Sequence, residues 1–279
     1  MKIFTTAAEM TAFSTENKSK KLTIGFVPTM GALHKGHISL VQYAQRNCDL
    51  VVVSVFVNPT QFNSSEDLNK YPRTIDADRM LLEKERVDVL FAPSVNEVYP
   101  TEKRVSYNLD GLDKYMEGPN RPGHFYGVVQ VVARLFDMVQ PDNAIFGEKD
   151  FQQLAIIKHM TSKLGYNTTV IGCPTIREPS GLAMSSRNQR LSENGKIISQ
   201  AIYKTLLGLK HDISSGIAPN TANKNAISAL EETSGLELEY LELVDPQSLQ
   251  PIEDSAEIAQ ACIAVWVEDV RLIDNMRVK

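Results

Sequence analysis

Cysteine is scarce in this 279-residue chain: Cys48, Cys173 and Cys262 are odd in number and far apart. No close Cys or His spacing accompanies them, so neither a disulfide framework nor a zinc site is indicated, and they read as small buried hydrophobes. No apolar run of membrane-spanning length occurs, and the opening MKIFTTAAEMTAFSTENKSKK holds no leader-like apolar core. A membrane partner is therefore not expected, and a cytoplasmic location is. A basic excess is also missing: 29 Lys and Arg stand against 34 Asp and Glu, a net charge of -5. That balance speaks against a nucleic-acid partner and leaves any anionic ligand to a local cluster of charge. Histidine is rare too, five in all, yet two of the five, His34 and His37, lie within four residues.

What is present is an ordinary supply of core, 43% hydrophobic and 23% charged, in a chain longer than a single small core needs. Up to about residue 175, apolar runs alternate with helical patterns, which predicts parallel strands joined by crossover helices. LTIGFV (22–27) reads as the first strand, and the nearly unbroken LVVVSVFV (50–57) as one covered on both faces. DVLFAP (88–93), NAIFG (143–147) and NTTVIGCP (167–174) complete the set. GHISLVQYAQR, IDADRMLLEKERV and HFYGVVQVVARLFDMV carry helical periodicity, and Gln130, Arg134 and Asp137 make the last a buried helix rather than a membrane one. Beyond residue 175 the texture changes. Ser192 is placed to cap one long helix with Ile198, Ile202 and Leu209 on a face, a second helix covers roughly 219–233, and strands follow at 238–246 and 262–274. The expected fold is thus α/β, a Rossmann-like parallel sheet with flanking helices over residues 1–175. A smaller C-terminal α+β domain is expected over 176–279.

Ligands of open parallel sheets bind beyond the carboxyl ends of the strands, and the polar motifs fall there. In PTMGALHKGH, Gly31 permits a tight turn and Gly36 a close approach to backbone. His37 would occupy a first helical turn, where the dipole favours an anion. In FVNPTQF, the amides of Asn58 and Gln61 suit a hydroxy acid better than a phosphate. The neighbouring Tyr71, Arg73, Asp76 and Asp78 read as surface and capping residues. In IFGEKDFQQL, Asp150 and Gln153 have capping-box spacing, while Lys149 beside a helix start suits a phosphate. In LAMSSRNQR, Ser185, Ser186 and Arg187 read as a flexible cationic loop able to close over a leaving group.

Together, VPTMGALHKGH, FVNPTQF, EDLNKYPRT, RPGHFYGVV, FGEKDFQQL and GLAMSSRN resemble, in order, the blocks of the pantoate–β-alanine ligases. That family groups with nucleotidyl transferases bearing HIGH-type and KMSKS-type motifs. The resemblance implies an ATP site from Met30, Gly31, Ala32, Leu33, His34, Lys35, Gly36 and His37, with His37 catalytic. It adds Gly147, Glu148, Lys149 and Asp150, Ile176 by its backbone, and Met184, Ser185, Ser186 and Arg187. It makes Gln61 and Gln153 the amides that hold pantoate, with Gln61 also near β-alanine, and leaves Asn58, Arg121 and His124 in matching positions. It further implies a homodimer. Gln130 and Arg134 stand where threonine and lysine are usual, Ala77 where many relatives carry an acid, and Ala183 where a KMSKS loop carries lysine. Positive charge then falls to Lys149 and Arg187.

The implied chemistry is adenylylation of pantoate by ATP, release of pyrophosphate, and capture of the acyl adenylate by β-alanine with loss of AMP. No acidic metal cage is evident, so Mg²⁺ is expected to be held through ATP oxygens and water rather than by protein ligands. The second domain is expected to shield the adenylate as a lid. Competing readings are a nucleotidyltransferase for a phosphorylated small molecule, which calls for more basic residues, and a tRNA-charging enzyme, which the charge disfavours. A nucleotide sensor without turnover is a third.

Overall fold

The computed structural model describes residues 1–101 and 106–279. The chain divides into two compact units. One holds Met1–Asp110, Arg121–Glu148 and Gln153–Pro174, the other Gly111–Asn120, Lys149–Gln152 and Thr175–Lys279.

The first unit is a six-stranded parallel sheet with strands β1 (Lys2–Phe4), β2 (Ile24–Thr29), β3 (Leu50–Val55), β4 (Val89–Phe91), β5 (Asn143–Gly147) and β6 (Thr169–Cys173). Their order is β1-β4-β3-β2-β5-β6. The strand expected to come first is the second: Lys2–Phe4 precedes it and pairs with β4 at the sheet edge. Three residues carry no readable period, and only the neighbour makes them a strand.

Both faces are covered. Helix α2 (Lys35–Asn47) lays Leu40, Val41 and Ala44 on a core with Val27, Val51, Val53, Leu90 and Ile145. It lies so close that a side chain at Gly25 would meet the Cys48 sulfur at 2.9 Å. Opposite, helix α1 (Ala7–Ser19) and the helix His124–Val139 pack together, with Ser14 donating to the Val139 carbonyl at 2.7 Å and Phe136 edge-on to Phe26. In His124–Val139 twelve of the 16 residues are buried, as expected of a core helix. Among the described residues no helix is long and apolar enough to cross a membrane. At the amino ends of the strands, three aspartates tie neighbours together by accepting backbone N–H groups: Asp49 from Thr23, Asp142 from Ile24 and Asp88 from Val51.

The second unit is an antiparallel sheet β7 (Leu236–Val244), β8 (Gln260–Val267) and β9 (Val270–Arg277), backed by Gln200–Ser214 and Pro219–Glu231. The long helix expected after Ser192 is two: Glu193–Ile198, which Ser192 does cap through Gly195 N–H, and Gln200–Ser214, parted at Ser199. Ser199 Oγ donates to the Gly195 carbonyl at 2.7 Å, and this competes with the helical ladder. The run expected as one strand at 262–274 folds back as β8 and β9 through Glu268, whose φ of 57° makes the turn. A buried ion-pair network lies on this sheet: Arg271 bonds both oxygens of Glu117 at 2.8 Å and also Glu239, and Tyr240 donates to Glu117 at 2.6 Å. Burial and the Glu117 charge push the Tyr240 phenol well above its ordinary pKa, so it remains a donor.

Candidate active site

From β2 the chain runs through β3 and β4 in one direction across the sheet, and from β5 to β6 in the other, so β2 and β5 flank the topological switch point. β2 is in register with β3 over all of Ile24–Thr29 but with β5 only at Gly25 and Phe26. The ladder between them stops short of their carboxyl ends, which bear the Met30–His37 loop and Gly147–Glu148.

The loop after β2 is built by sequence-local sterics and one distant carboxylate. Gly31 and Ala32 are both left-handed, at φ 82° and 49°, a conformation costing about 1–2 kcal/mol for the alanine. The turn is held by hydrogen bonds to its amides. Gly31 N–H donates to Thr29 Oγ1 at 3.1 Å, Ala32 N–H to Asp78 Oδ2 at 3.0 Å, and Leu33 N–H to Asp78 Oδ1 at 2.7 Å. Asp78, read from sequence as a surface or capping residue, is 2% exposed, and Tyr71 is buried too. The aspartate sits in the helix Ile75–Lys84, whose own period marks only the Leu82 side as core. Asp78, four residues before Leu82, shares that side and Asp76 does not, but the pattern says nothing of the partner that a buried carboxylate meets there.

His34 caps α2 and His37 is its third residue, and the two cap each other. Gly36 N–H donates to His34 Nδ1 at 3.1 Å, and His34 N–H donates to His37 Nδ1 at 3.2 Å. A backbone N–H can only donate, so both Nδ1 atoms are acceptors and the ring proton of each neutral imidazole resides on Nε2. The rings lie 4.1 Å apart, centroid to centroid. The histidines are thus structural caps and, by the same bonds, oriented Nε2 donors. The amides of residues 31–34 and 36 are engaged by Thr29, Asp78 and the two histidines.

Gln61 lies beside this loop. It is 9% exposed, and its Nε2 reaches the Met30 sulfur at 2.9 Å. Asn58, 1% exposed, spends its amide on structure: Nδ2 donates to Gln61 Oε1 and the Gly127 carbonyl, and Oδ1 accepts from Thr60 and from Tyr99 Oη at 2.8 Å. It therefore orients Gln61 rather than presenting itself. Burial raises the Tyr99 pKa, which keeps that phenol a donor. His124 donates from Nδ1 to the Gln61 carbonyl at 2.7 Å, and Arg121 reaches the same oxygen at 3.4 Å. A side chain at Gly127 would meet the Thr60 carbonyl at 2.2 Å, so the glycine lets its helix close on this turn.

Gly147 ends β5 and Glu148 follows it, and Gln153, half-buried, lies in the helix Phe151–Lys163. Asp150 belongs to a 3-10 turn, Glu148–Asp150, that runs straight into this helix.

The remaining expected residues belong to the second unit. The Lys149 ammonium is 3.6 Å from Asp150, and its carbonyl accepts from Asn275 Nδ2 at 2.8 Å. Ile176 bonds Met184 N–H through its carbonyl, and Arg177 and Ala183 form a bridge, so 176–184 is a small hairpin. Arg177 anchors it by a two-pronged ion pair to Asp274, whose side chain is 1% exposed, and by stacking 4.2 Å over Tyr203. Ser185 caps the 3-10 turn Ser186–Arg190 through Arg187 N–H, and the buried Asn188 donates to the Ala183 carbonyl. The segment expected to be a flexible loop takes up a turn held by these local bonds. Gln152, which sequence reasoning passed over, is buried and holds Leu112, Tyr115 and Glu117 by three hydrogen bonds. Among the described residues no group of three or more His, Cys, Asp or Glu is disposed to hold a metal ion.

A parallel sheet with a histidine-capped helix and a buried amide at its switch point is the arrangement of an α/β enzyme. A family model described as pantoate-beta-alanine ligase matches residues 2–277. The chain belongs to the pantoate–β-alanine ligase family. It is 46% identical over 279 residues to a pantothenate synthetase of Porphyromonas gingivalis, with 99% of each chain covered, and 48% identical to one of Bacteroides thetaiotaomicron, covering 100% and 99%. Among solved structures, pantothenate synthetase from Thermus thermophilus superposes with a TM-score of 0.93 at 42% identity, covering 100% and 99%. A Francisella tularensis pantoate-beta-alanine ligase, complexed with beta-gamma ATP and beta-alanine, gives 0.82 at 37%, covering 100% and 98%.

Proposed function

We propose that this chain condenses pantoate with β-alanine at the expense of ATP, through an enzyme-bound pantoyl adenylate. A pantoate carboxylate oxygen attacks the α-phosphorus, the bond to the β-phosphate oxygen breaks, and pyrophosphate leaves. The β-alanine amine then attacks the acyl carbon, the carbon–oxygen bond to phosphate breaks, AMP leaves, and the amine proton passes to solvent. The carboxylate is already ionised at neutral pH, so the first step calls for positioning and neutralisation of charge rather than a base.

The observation that carries this reading is the reciprocal capping of His34 and His37. It directs two Nε2–H donors from the start of a helix whose dipole also favours an anion. Lys149 and Arg187 are the further cations we assign to the phosphates, with Met30–His37, Gly147–Asp150, Ile176 and Met184–Arg187 as the nucleotide site. Gln61 and Gln153 are the pantoate amides, Gln61 held in place by Asn58 and Met30. Mg²⁺ would be held through ATP oxygens and water, since among the described residues no acidic cluster is disposed to hold it, and would supply further charge neutralisation. A cytoplasmic homodimer completes the proposal.

Incubation with ATP, Mg²⁺, pantoate and β-alanine tests it. Multiple turnovers of AMP and pyrophosphate are expected only with both organic substrates present. Steady turnover with either one omitted, or none with both, overturns it.

A further inference from the structure

The mechanism above uses the two imidazoles but leaves open what holds the turn that carries them. We propose that Asp78 is a positioning residue for the His34–His37 pair, acting through the Met30–His34 turn. The inference rests on the assignment of those histidines to the nucleotide.

The carboxylate is almost fully buried, yet it faces donors rather than a cation: Ala32 N–H at 3.0 Å, Leu33 N–H at 2.7 Å and Thr74 Oγ1 at 3.2 Å. In effect the turn after β2 is a receptor for an anion, and the chain supplies that anion itself, from a helix 45 residues beyond Leu33. The next amide along, His34 N–H, goes to His37 Nδ1. The three successive amides of residues 32–34 are therefore held in sequence, the first two by Asp78 and the third by the histidine box. The peptide linking Leu33 to His34 is thereby clamped on both sides. There is no slack in the arrangement: a side chain at Gly31 would meet Asp78 Oδ2 and Val55 Cγ1, each at 3.0 Å. Without the carboxylate, one buried and one part-buried N–H group and a left-handed Ala32 lose their restraint. The cap residue His34 then swings, and the direction of both Nε2–H bonds goes with it. Asparagine cannot replace the aspartate, because its NH₂ sets a donor against one of the two amide donors.

The test is a double-mutant cycle on single-turnover adenylate formation, combined with ¹⁵N spectra of the histidine rings without ligands. Asp78→Asn is expected to slow adenylate formation by about 10- to 100-fold, the scale of a small misplacement of catalytic groups. In a His37→Ala background it should cost less than about threefold, since the pair it orients is already broken. In the wild type the spectra should show Nε2-protonated tautomers for His34 and His37, and in Asp78→Asn a mixture. Thr74→Val, which removes only the hydroxyl donor, serves if Asp78→Asn does not fold, and should move the same signals by less. Losses that multiply in the double variant, with unchanged ring spectra, overturn the inference while leaving the ligase reading intact. A wild type without ligase activity defeats that reading instead, and the ring spectra alone then decide whether Asp78 orients the histidines.

Discussion

At the scale of the residue, His34 and His37 hold two offices through different atoms of the same rings. Each Nδ1 satisfies a backbone donor at the head of α2, and this leaves the proton on Nε2. His37→Ala should consequently slow adenylate formation by about 10² or more, the cost of one preorganised donor, with circular dichroism and gel filtration unchanged. Single-turnover quench-flow measures it, and an unaltered rate would remove the histidine from the mechanism. The glutamines make a separate prediction. Gln61→Ala and Gln153→Ala should weaken pantoate binding at least tenfold, the loss of about 1.4 kcal/mol, with ATP binding nearly normal. Titration calorimetry with each ligand checks this, and the reverse pattern would move both to the nucleotide site. Asn58 is different in kind: its amide is saturated by Gln61, Gly127, Thr60 and Tyr99, so its contribution is to keep Gln61 still.

At the scale of the element, the helix His124–Val139 presses on the Pro59–Gln61 turn, touching it through His124 and, most tightly, at Gly127. Gly127→Ala puts a methyl within 2.8 Å of the Gln61 Cα and closer still to the Thr60 carbonyl. Such overpacking typically destabilises by about 1–3 kcal/mol, and here it also displaces Gln61, so pantoate affinity should fall in parallel. Gly208, interior to Gln200–Ser214 with no atom within 4 Å of an added methyl, is the control. Gly208→Ala should stabilise by about 0.5–1 kcal/mol without touching affinity. Urea denaturation paired with pantoate titration separates the two. Both glycines look alike in a sequence, since each interrupts a helical pattern; only the neighbour across the gap gives them opposite signs. The break at Ser199 is of another kind: its hydroxyl bonds back to Gly195, one turn earlier, where a pattern that reads as one helix divides.

At the scale of the molecule, the chain passes between its two units after Asp110, Asn120, Glu148, Gln152 and Pro174. The second unit takes in two short stretches from earlier in the chain. These supply Glu117 to Arg271 and Tyr240, Met116 N–H to Glu242, and the Lys149 carbonyl to Asn275. A fragment of residues 176–279 carries the sheet and its helices but strands those groups. Loss of one partner from a buried ion pair commonly costs about 3–5 kcal/mol. The fragment should therefore unfold at lower urea and with poorer cooperativity than the same region in the whole chain. Hydrogen exchange resolved by residue makes the comparison, and equal protection of β9 in both would show that the added stretches are dispensable.

By itself the sequence determined the parallel order of elements, the carboxyl-end placement of the polar motifs, and the pairing of His34 with His37 on one helical turn. Each is a matter of period and spacing along a few residues, set by backbone geometry before any long-range contact forms. β1 at the sheet edge, the break at Ser199, the saturation of Asn58, the burial of Asp78 and the membership of 111–120 in the C-terminal unit were decided only by tertiary structure. Except at Ser199, whose bond is to Gly195 one turn earlier, a polar or apolar group is disposed by a partner far away in the chain. The sequence places Asp78 on the Leu82 side of its helix, but not which donors it meets there, two amides 45 and 46 residues earlier in the chain.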